Sequence, residues 1–311
     1  MHFHLQLANH YFAGLYRIDD IVSPLIWGLR AHGHRVTTGI LPDLPPWPSA
    51  VILLEYFDRD ESVREILNWK AGAAGRACLG LVCTEDLNDA LVMEDPKFPR
   101  RRQNLLQILP HCDFVWTIIP GGYEEYVKPD RLAFIDYGYV EALRRDGWPA
   151  AQRDIDVLFY ATINERRRRL YEALQKHGLR VAATRGYLPD YVRFNLVSRS
   201  RIVLDVRRGD DVRFTSPSRI AAALQVGSTV VSEFFDTSRL GALYPYTQAT
   251  AFEEIEERCV TLARSPDVVD MGHAARERFK AETSMVENLR PALSLPVFQE
   301  IAGHLGGHRV L

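Results

Sequence analysis

The residues of this chain best suited to chemistry are arginines and hydroxyls gathered around predicted strand ends. In SPSRIAAALQVGSTVVSE, from Ser216 to Glu233, a polar turn leads into an apolar helical run that ends at Gly227, and a β-branched strand follows at once. Arg219 stands at the helix start, where free backbone N–H groups and the helix dipole already favour an anion. A fixed guanidinium there makes a site for a phosphate-bearing group. Arg213 and Arg219 flank a Thr-Ser-Pro-Ser turn, and Ser218 adds a hydroxyl to it. The turn also serves as a plain helix cap through Ser216 or Ser218, and both uses draw on the same N–H groups.

A second cradle follows the run DVLFYA, where Thr162 and Asn164 lie in a short polar turn before a predicted helix. Such a turn brings a hydroxyl, an amide and unpaired N–H groups together. Four consecutive arginines, Arg166 to Arg169, then open the helix. Successive helical side chains point about 100° apart, so the four cannot serve one ligand. Arg166 or Arg167 is the candidate for the ligand, and the others are expected on solvated faces or in ion pairs. Asp205 sits inside the apolar run IVLDV. A buried carboxylate needs partners, either an arginine or a ligand.

The elements that position these groups alternate in type. Strand candidates are Phe3–Ala8, Arg35–Ile40, Val51–Leu54, Ala77–Cys83, Phe114–Ile118 and Leu132–Ile135, with helices predicted over Ile21–His32, Glu61–Ala71 and Gln103–Leu109. The polar stretch Glu141–Asp154, with Gly147 and Pro149, is the linker candidate. A second series then runs through strands Asp156–Ala161, Arg180–Ala183, Ile202–Val206 and Thr229–Val231. Its helices are Glu165–His177, Pro189–Ser198, Arg219–Val226, Phe252–Ala263 and Val268–Thr283, and Leu295–Leu305 closes the chain. Strand–helix alternation predicts parallel sheets covered on both faces. The expected fold class is α/β, with two Rossmann-like domains facing each other across a cleft. Residues 1–145 and 146–290 form the domains and 291–311 a C-terminal helical segment. Ligands of open α/β sheets bind at strand C-termini, so the site is expected between the domains.

Bulk properties exclude several classes. The 311 residues are 47% hydrophobic and 25% charged with a formal net charge of −2, which offers no global attraction to nucleic acid or an anionic membrane. No apolar stretch approaches the ~20 residues of a membrane span. The start, MHFHLQLANHYF, lacks the cationic and apolar regions of a signal peptide. The four cysteines show no metal-ligand spacing, and Cys78, Cys83 and Cys112 lie in apolar runs, as expected of buried thiols in a reducing, cytoplasmic setting. There is no HExxH, no DxD of the kind that holds a divalent ion beside a diphosphate, and no Cys/His cluster, so no metal and no cofactor are expected.

The segments DVLFYATINERRRRLYEAL, SRSRIVLDV and RIAAALQVG followed by STVVSE resemble the nucleotide-sugar-binding domain of GT-B glycosyltransferases. They are closest in pattern to the CgeB-like, group 1 type, over about residues 154 to 290. The opening, LQLANHYFAGLYRIDDIVSPLIWGLRAHGHRV, is similar to the strand–loop–helix start of such proteins. The resemblance implies transfer of a sugar from a nucleotide-diphosphate donor to an unidentified acceptor, without metal. Thr162, Asn164, Arg166, Asp205, Arg213, Ser218 and Arg219 would lie at the donor. In the family a glutamate that holds the donor ribose follows the helix-start arginine by three positions, and Ala222 stands there in this chain. An inverting transferase needs a base for the acceptor hydroxyl, and a retaining route stays open. His10, after the first strand with Asp19 or Asp20 to orient it, is one candidate base; Glu85, beside Asp86 after LGLVC, is the other. His2 and His4 read as structural. Trp116, Tyr123, Tyr137 and Tyr139 suit a pocket floor or the core. The alternatives are a non-catalytic nucleotide-sugar or partner-binding protein and a nucleotide-sugar epimerase or hydrolase.

Overall fold

A computed structural model describes residues 1–7, 12–42, 47–54, 57, 59–73, 75–89, 94, 96, 99–119, 122–184, 188–210, 212, 214–234 and 240–307. Its strands are β1 (His2–Gln6), β2 (Arg35–Gly39), β3 (Ala50–Leu54), β4 (Cys78–Cys83), β5 (Phe114–Thr117), β6 (Leu132–Phe134), β7 (Ile155–Tyr160), β8 (Val181–Thr184), β9 (Ser200–Asp205), β10 (Thr229–Glu233) and β11 (Gln248–Thr250). Its helices are α1 (Phe12–Ala31), α2 (Asp60–Gly72), α3 (Arg101–Ile108), α4 (Glu165–Lys176), α5 (Asp190–Arg199), α6 (Pro217–Val226), α7 (Ile255–Arg264), α8 (Val268–Glu282), α9 (Met285–Leu293) and α10 (Pro296–Gly307). They fall into two units. The first holds Met1–Leu15, Gly28–Asp136 and Val286–Leu311; the second holds Tyr16–Trp27 and Tyr137–Met285.

The first unit is built on a parallel sheet of order β2-β1-β3-β4-β5-β6. Every residue of β3 is buried, as a strand covered on both faces must be. On one face α2 sets Val63, Ile66 and Trp69 in a helical stripe against Val51, Leu53, Leu79 and Leu81. On the other, Phe298 of α10 packs its ring 4.7 Å from Phe114, 5.7 Å from Phe3 and 5.9 Å from Trp116. Glycine is required at position 80, where a Cβ would sit 2.0 Å from the Phe114 ring.

The second unit carries a parallel sheet of order β11-β10-β9-β7-β8. Val157, Phe159, Ile202, Leu204 and Val231 pack with Leu170 and Leu174 of α4 and Ile255, Cys259 and Leu262 of α7. Helix α6 ends in a Schellman motif. Gly227 adopts φ +76, its N–H donates to Leu224 O (3.0 Å), and Ser228 N–H reaches Ala223 O (3.1 Å).

Four segments differ from their sequence expectation. Helix α1 begins at Phe12 rather than Ile21 and runs through Pro24. Its polar middle is supported from outside, by Arg193 donating to Asp19 at 2.6 Å. The expected linker folds as two 3₁₀ turns, Glu141–Leu143 and Ala150–Gln152, around a buried Arg153. That guanidinium donates to Trp148 O (2.9 Å) and Ser200 O (2.7 Å), which ties the segment to β9. Strand β11 forms from the polar run Gln248–Thr250, and helix α9, also outside the expected elements, buries Met285, Leu289 and Ala292 at helical spacing.

None of the four cysteines is in a disulfide, and burial pushes Cys78 up to about 11 and Cys112 and Cys259 up to about 12. Trp116, Tyr123, Tyr137 and Tyr139 are buried in the core. Among the described residues no helix is long and apolar enough to cross a membrane.

Candidate functional site

The second sheet changes winding direction at β7. The chain leaves β7 through α4 to β8 on one side and returns through α5 to β9 on the other. The C-terminal ends of β7 and β9 therefore lie at the topological switch point, where open α/β sheets place their ligand crevice. Residues 161–164 and 206–210 form its lips, and five arginines gather there.

Four of the five have internal partners. Arg219 donates Nη1 to Asp205 and Nε to Tyr160 O (3.2 Å), joining the ends of β9 and β7. Arg167 joins the same ends through Thr162 O (2.7 Å), Val206 O (2.5 Å) and Arg207 O (3.2 Å). Burial pulls the Arg167 guanidinium down to about 9, which leaves it cationic at neutral pH. Arg166 grips Glu233 with two bonds (2.8 and 3.0 Å), meets Asp210 at 3.0 Å and stacks 3.4 Å from the centre of the Phe252 ring. Arg207 holds Glu233 as well, through Nε (2.8 Å) and its backbone N–H (2.9 Å).

The two buried carboxylates respond in opposite ways. Asp205 is fully buried, and desolvation raises its pKa despite Arg219, Arg167 and the Ser216 N–H at 3.2 Å. Glu233 is also fully buried, but hydrogen bonds from Arg166 and Arg207 outweigh desolvation and hold its carboxyl below the ordinary value.

Arg208 is the fifth arginine. Its carbonyl accepts from Asn164 Nδ2, which sets it beside the first turn of α4. Its half-buried guanidinium has no ion pair or hydrogen bond among the described residues. Asn164 caps α4 through its Oδ1, which accepts from Arg167 N–H at 3.1 Å. Ser218 lies in the first turn of α6, its hydroxyl 3.2 Å from that of Ser216.

A cavity of about 90 Å³ lies in the same unit, between α1, α5 and α6. Ala222 forms part of its wall, with Asp19, Asp20, Asp190, Arg145 and Arg193 among the others. Arg193 donates to Asp19 (2.6 Å) and Asp190 (3.0 Å), and Arg145 meets Asp190 at 2.5 Å. Asp20 Oδ1 is buried without a hydrogen-bond partner among the described residues. Tyr160 links cavity and crevice: Arg193, Arg219, Asp20 and Asp205 all act on its phenol, whose pKa burial raises.

Desolvation lifts Asp19 to about 6 in spite of Arg193. The folded state then holds a proton that the unfolded chain, with a pKa near 3.9, has released. Asp19 thus favours folding below the unfolded value, and this contribution is lost as pH rises from about 4 to about 6. Asp19→Asn is expected to flatten the pH dependence of stability in that window. An unchanged difference between urea midpoints at pH 4.5 and 6.5 would refute it.

Sequence reasoning and structure meet unevenly at these positions. Thr162, Asn164, Arg166, Asp205, Ser218 and Arg219 are brought to one edge of the second unit. Glu85 belongs to the first unit, just past β4, with Oε1 3.5 Å from Arg101 and its carbonyl accepting from Tyr123 OH at 2.8 Å. His10 and Arg213 lie outside the described residues. Arg207, Arg208 and Glu233 were not singled out by sequence. An acid closing the buried strand TVVSE was the available signal, because it requires a cationic partner.

No family model matches the chain, and no curated protein matches it by sequence. Solved structures do match. A trehalose-6-phosphate protein from E. coli, solved with UDP-2-fluoro glucose, aligns at TM-score 0.53 and 9% identity over 99% of this chain and 98% of its own. The DNA-modifying enzyme β-glucosyltransferase, studied with and without uridine diphosphoglucose, aligns at TM-score 0.52 and 10% identity over 95% and 99%. A UDP-forming α,α-trehalose-phosphate synthase from Burkholderia xenovorans gives 0.50 and 11% over 94% and 80%. This chain shares their fold: two parallel-sheet α/β domains of the GT-B type.

Proposed function

We propose that this protein is a glycosyltransferase that moves a sugar from a nucleoside-diphosphate donor to an acceptor hydroxyl. Arg208 carries the reading, as a crevice-edge residue whose backbone sits beside the α4 N-terminus and whose guanidinium has no partner among the described residues. In this reading Arg208 and Arg213 take the diphosphate, helped by Thr162, Ser218 and the first-turn N–H groups of α4 and α6. Arg166 and Arg219 shape the crevice through Glu233 and Asp205. As the acceptor oxygen bonds to the anomeric carbon, the bond from that carbon to the β-phosphate oxygen breaks. The negative charge moves onto the departing diphosphate, where fixed guanidiniums stabilise it more than in the ground state. They do so without a divalent ion. His10 and Glu85 are the candidates to take the acceptor proton. Fold kinship with sugar-nucleotide enzymes supports the donor class.

One observation favours a second reading. Ala222 leaves cavity space where the resembling family places a glutamate, so the chain has lost that carboxylate. Asp19 and Asp20 stand on the same cavity as replacements for a transferase; without such replacement the protein is a nucleotide-sugar binder. Thermal shift with UDP, GDP and ADP tests both readings, and a rise in Tm with at least one of them is expected. No rise with any of the three overturns the donor assignment. Release of UDP or another nucleoside diphosphate from its sugar conjugate then separates transferase from binder.

A further inference from the structure

Two histidines of β1 converge on one hydroxyl of β2. His2 Nε2 lies 2.8 Å and His4 Nδ1 2.9 Å from Thr37 Oγ1, and His4 Nε2 lies 2.6 Å from Ile40 O. Chemistry fixes every proton in this chain. Ile40 O only accepts, so His4 Nε2 carries the hydrogen. Nδ1 of a neutral His4 is then an acceptor, and it takes the single Thr37 hydroxyl proton. Thr37 Oγ1 must in turn accept from His2 Nε2–H. The relay runs from His2 to Thr37 to His4 to Ile40 and is complete only while the His4 ring is neutral, because His2 donates through Nε2–H in either charge state.

A proton added to His4 Nδ1 meets the Thr37 hydroxyl proton and breaks the relay. Both rings then donate to one oxygen, and the Thr37 hydrogen is displaced. The charges acting on this cluster oppose such protonation. His2 faces Arg35 of β2, His4 beside it on β1 and the Met1 amino group; His34, 3.5 Å from that amino group, stands before β2 and next to His32 at the end of α1. His4 is only 9% exposed, and its ring meets no compensating carboxylate among the described residues.

Strand β2 is the edge of its sheet and pairs with β1 alone. A local loss there leaves the β3–β5 core covered. We propose that the His2–Thr37–His4 relay is a proton-operated clasp that holds edge strand β2 on β1 at neutral pH and releases it on acidification. This device is independent of the glycosyltransferase reading. Burial lowers the pKa of both rings, with Arg35 and the neighbouring cations adding to it at His2. The folded state therefore binds fewer protons than the unfolded chain. The clasp's contribution is complete above the unfolded value of about 6.5, declines as pH falls below it and is gone once pH has fallen through the lower, folded value.

Hydrogen exchange of the full chain, corrected for the intrinsic pH dependence, tests the clasp. Between pH 7.5 and 5.5 the β2 amides bonded to β1 should lose at least tenfold in protection, while those of β3 and β4 hold theirs. The double variant His2→Gln, His4→Gln should show no such step. Protection of β2 that is independent of pH in the wild type, or an equal step in the variant, overturns the proposal. Should the variant not fold, imidazole ¹⁵N shifts of the wild type decide: Nε2–H tautomers at both rings at pH 7.5 support the relay, and an Nδ1–H tautomer at His4 overturns it.

Discussion

Glu233→Gln is expected to lower the unfolding free energy by about 3–5 kcal/mol, the range for stranding a buried charge whose partner is removed. The glutamine keeps the shape of the side chain but leaves Arg166 and Arg207 facing a neutral group. Glu233 is fully buried, and the Arg166 and Arg207 side chains are 15% and 9% exposed, so water cannot replace the lost carboxylate. The loss reads as a shift of the urea midpoint at constant slope. Since the Glu233 carboxyl is held below its ordinary value, its contribution is present above the unfolded pKa and lost as pH falls through the folded one. The difference between wild type and variant should therefore shrink in acid. A loss under about 1 kcal/mol, typical of an exposed pair, would show that the Arg166–Glu233–Arg207 knot does not hold the crevice edge.

Arg208→Ala is expected to act in the opposite sense, weakening nucleoside-diphosphate binding by about 10–100-fold while leaving Tm of the free protein unchanged. A charge-assisted hydrogen bond contributes about 1.5–3 kcal/mol, and each 1.4 kcal/mol is tenfold in Kd. No internal bond is broken, because the Arg208 guanidinium makes none among the described residues. Titration calorimetry with the nucleoside diphosphate that gives the largest thermal shift measures the change. Equal Kd for variant and wild type would remove Arg208 from the site. A large fall in Tm would instead show that it has an internal role, as Arg166 has.

The α6 segment was legible because its features are local. Its Pro-containing start, apolar stripe and closing glycine act within a dozen residues, and Gly227 reads directly as the left-handed cap. The middle of α1 was not legible. Asp19 and Asp20 disfavour a helix by themselves, and their support comes from Arg193, 174 residues away from Asp19. The linker candidate illustrates the same limit. Glu141–Asp154 is polar and carries helix breakers, yet Arg153 anchors it through the carbonyl of Ser200, 47 residues on.

Strand–helix alternation, a property of neighbouring residues, determined two parallel α/β sheets and the placing of Thr162, Asn164, Ser218 and Arg219 near strand C-termini. Which arginines remain available to an anion was decided only by the tertiary structure. Arg166 and Arg207 reach Glu233 across 67 and 26 residues, and Arg219 reaches Asp205 across 14. Charge pairing depends on distance in space and on burial, and adjacent arginines in sequence share neither. Arg207 and Arg208 are consecutive, yet one is locked to a buried carboxylate and the other stands at the crevice without a partner among the described residues.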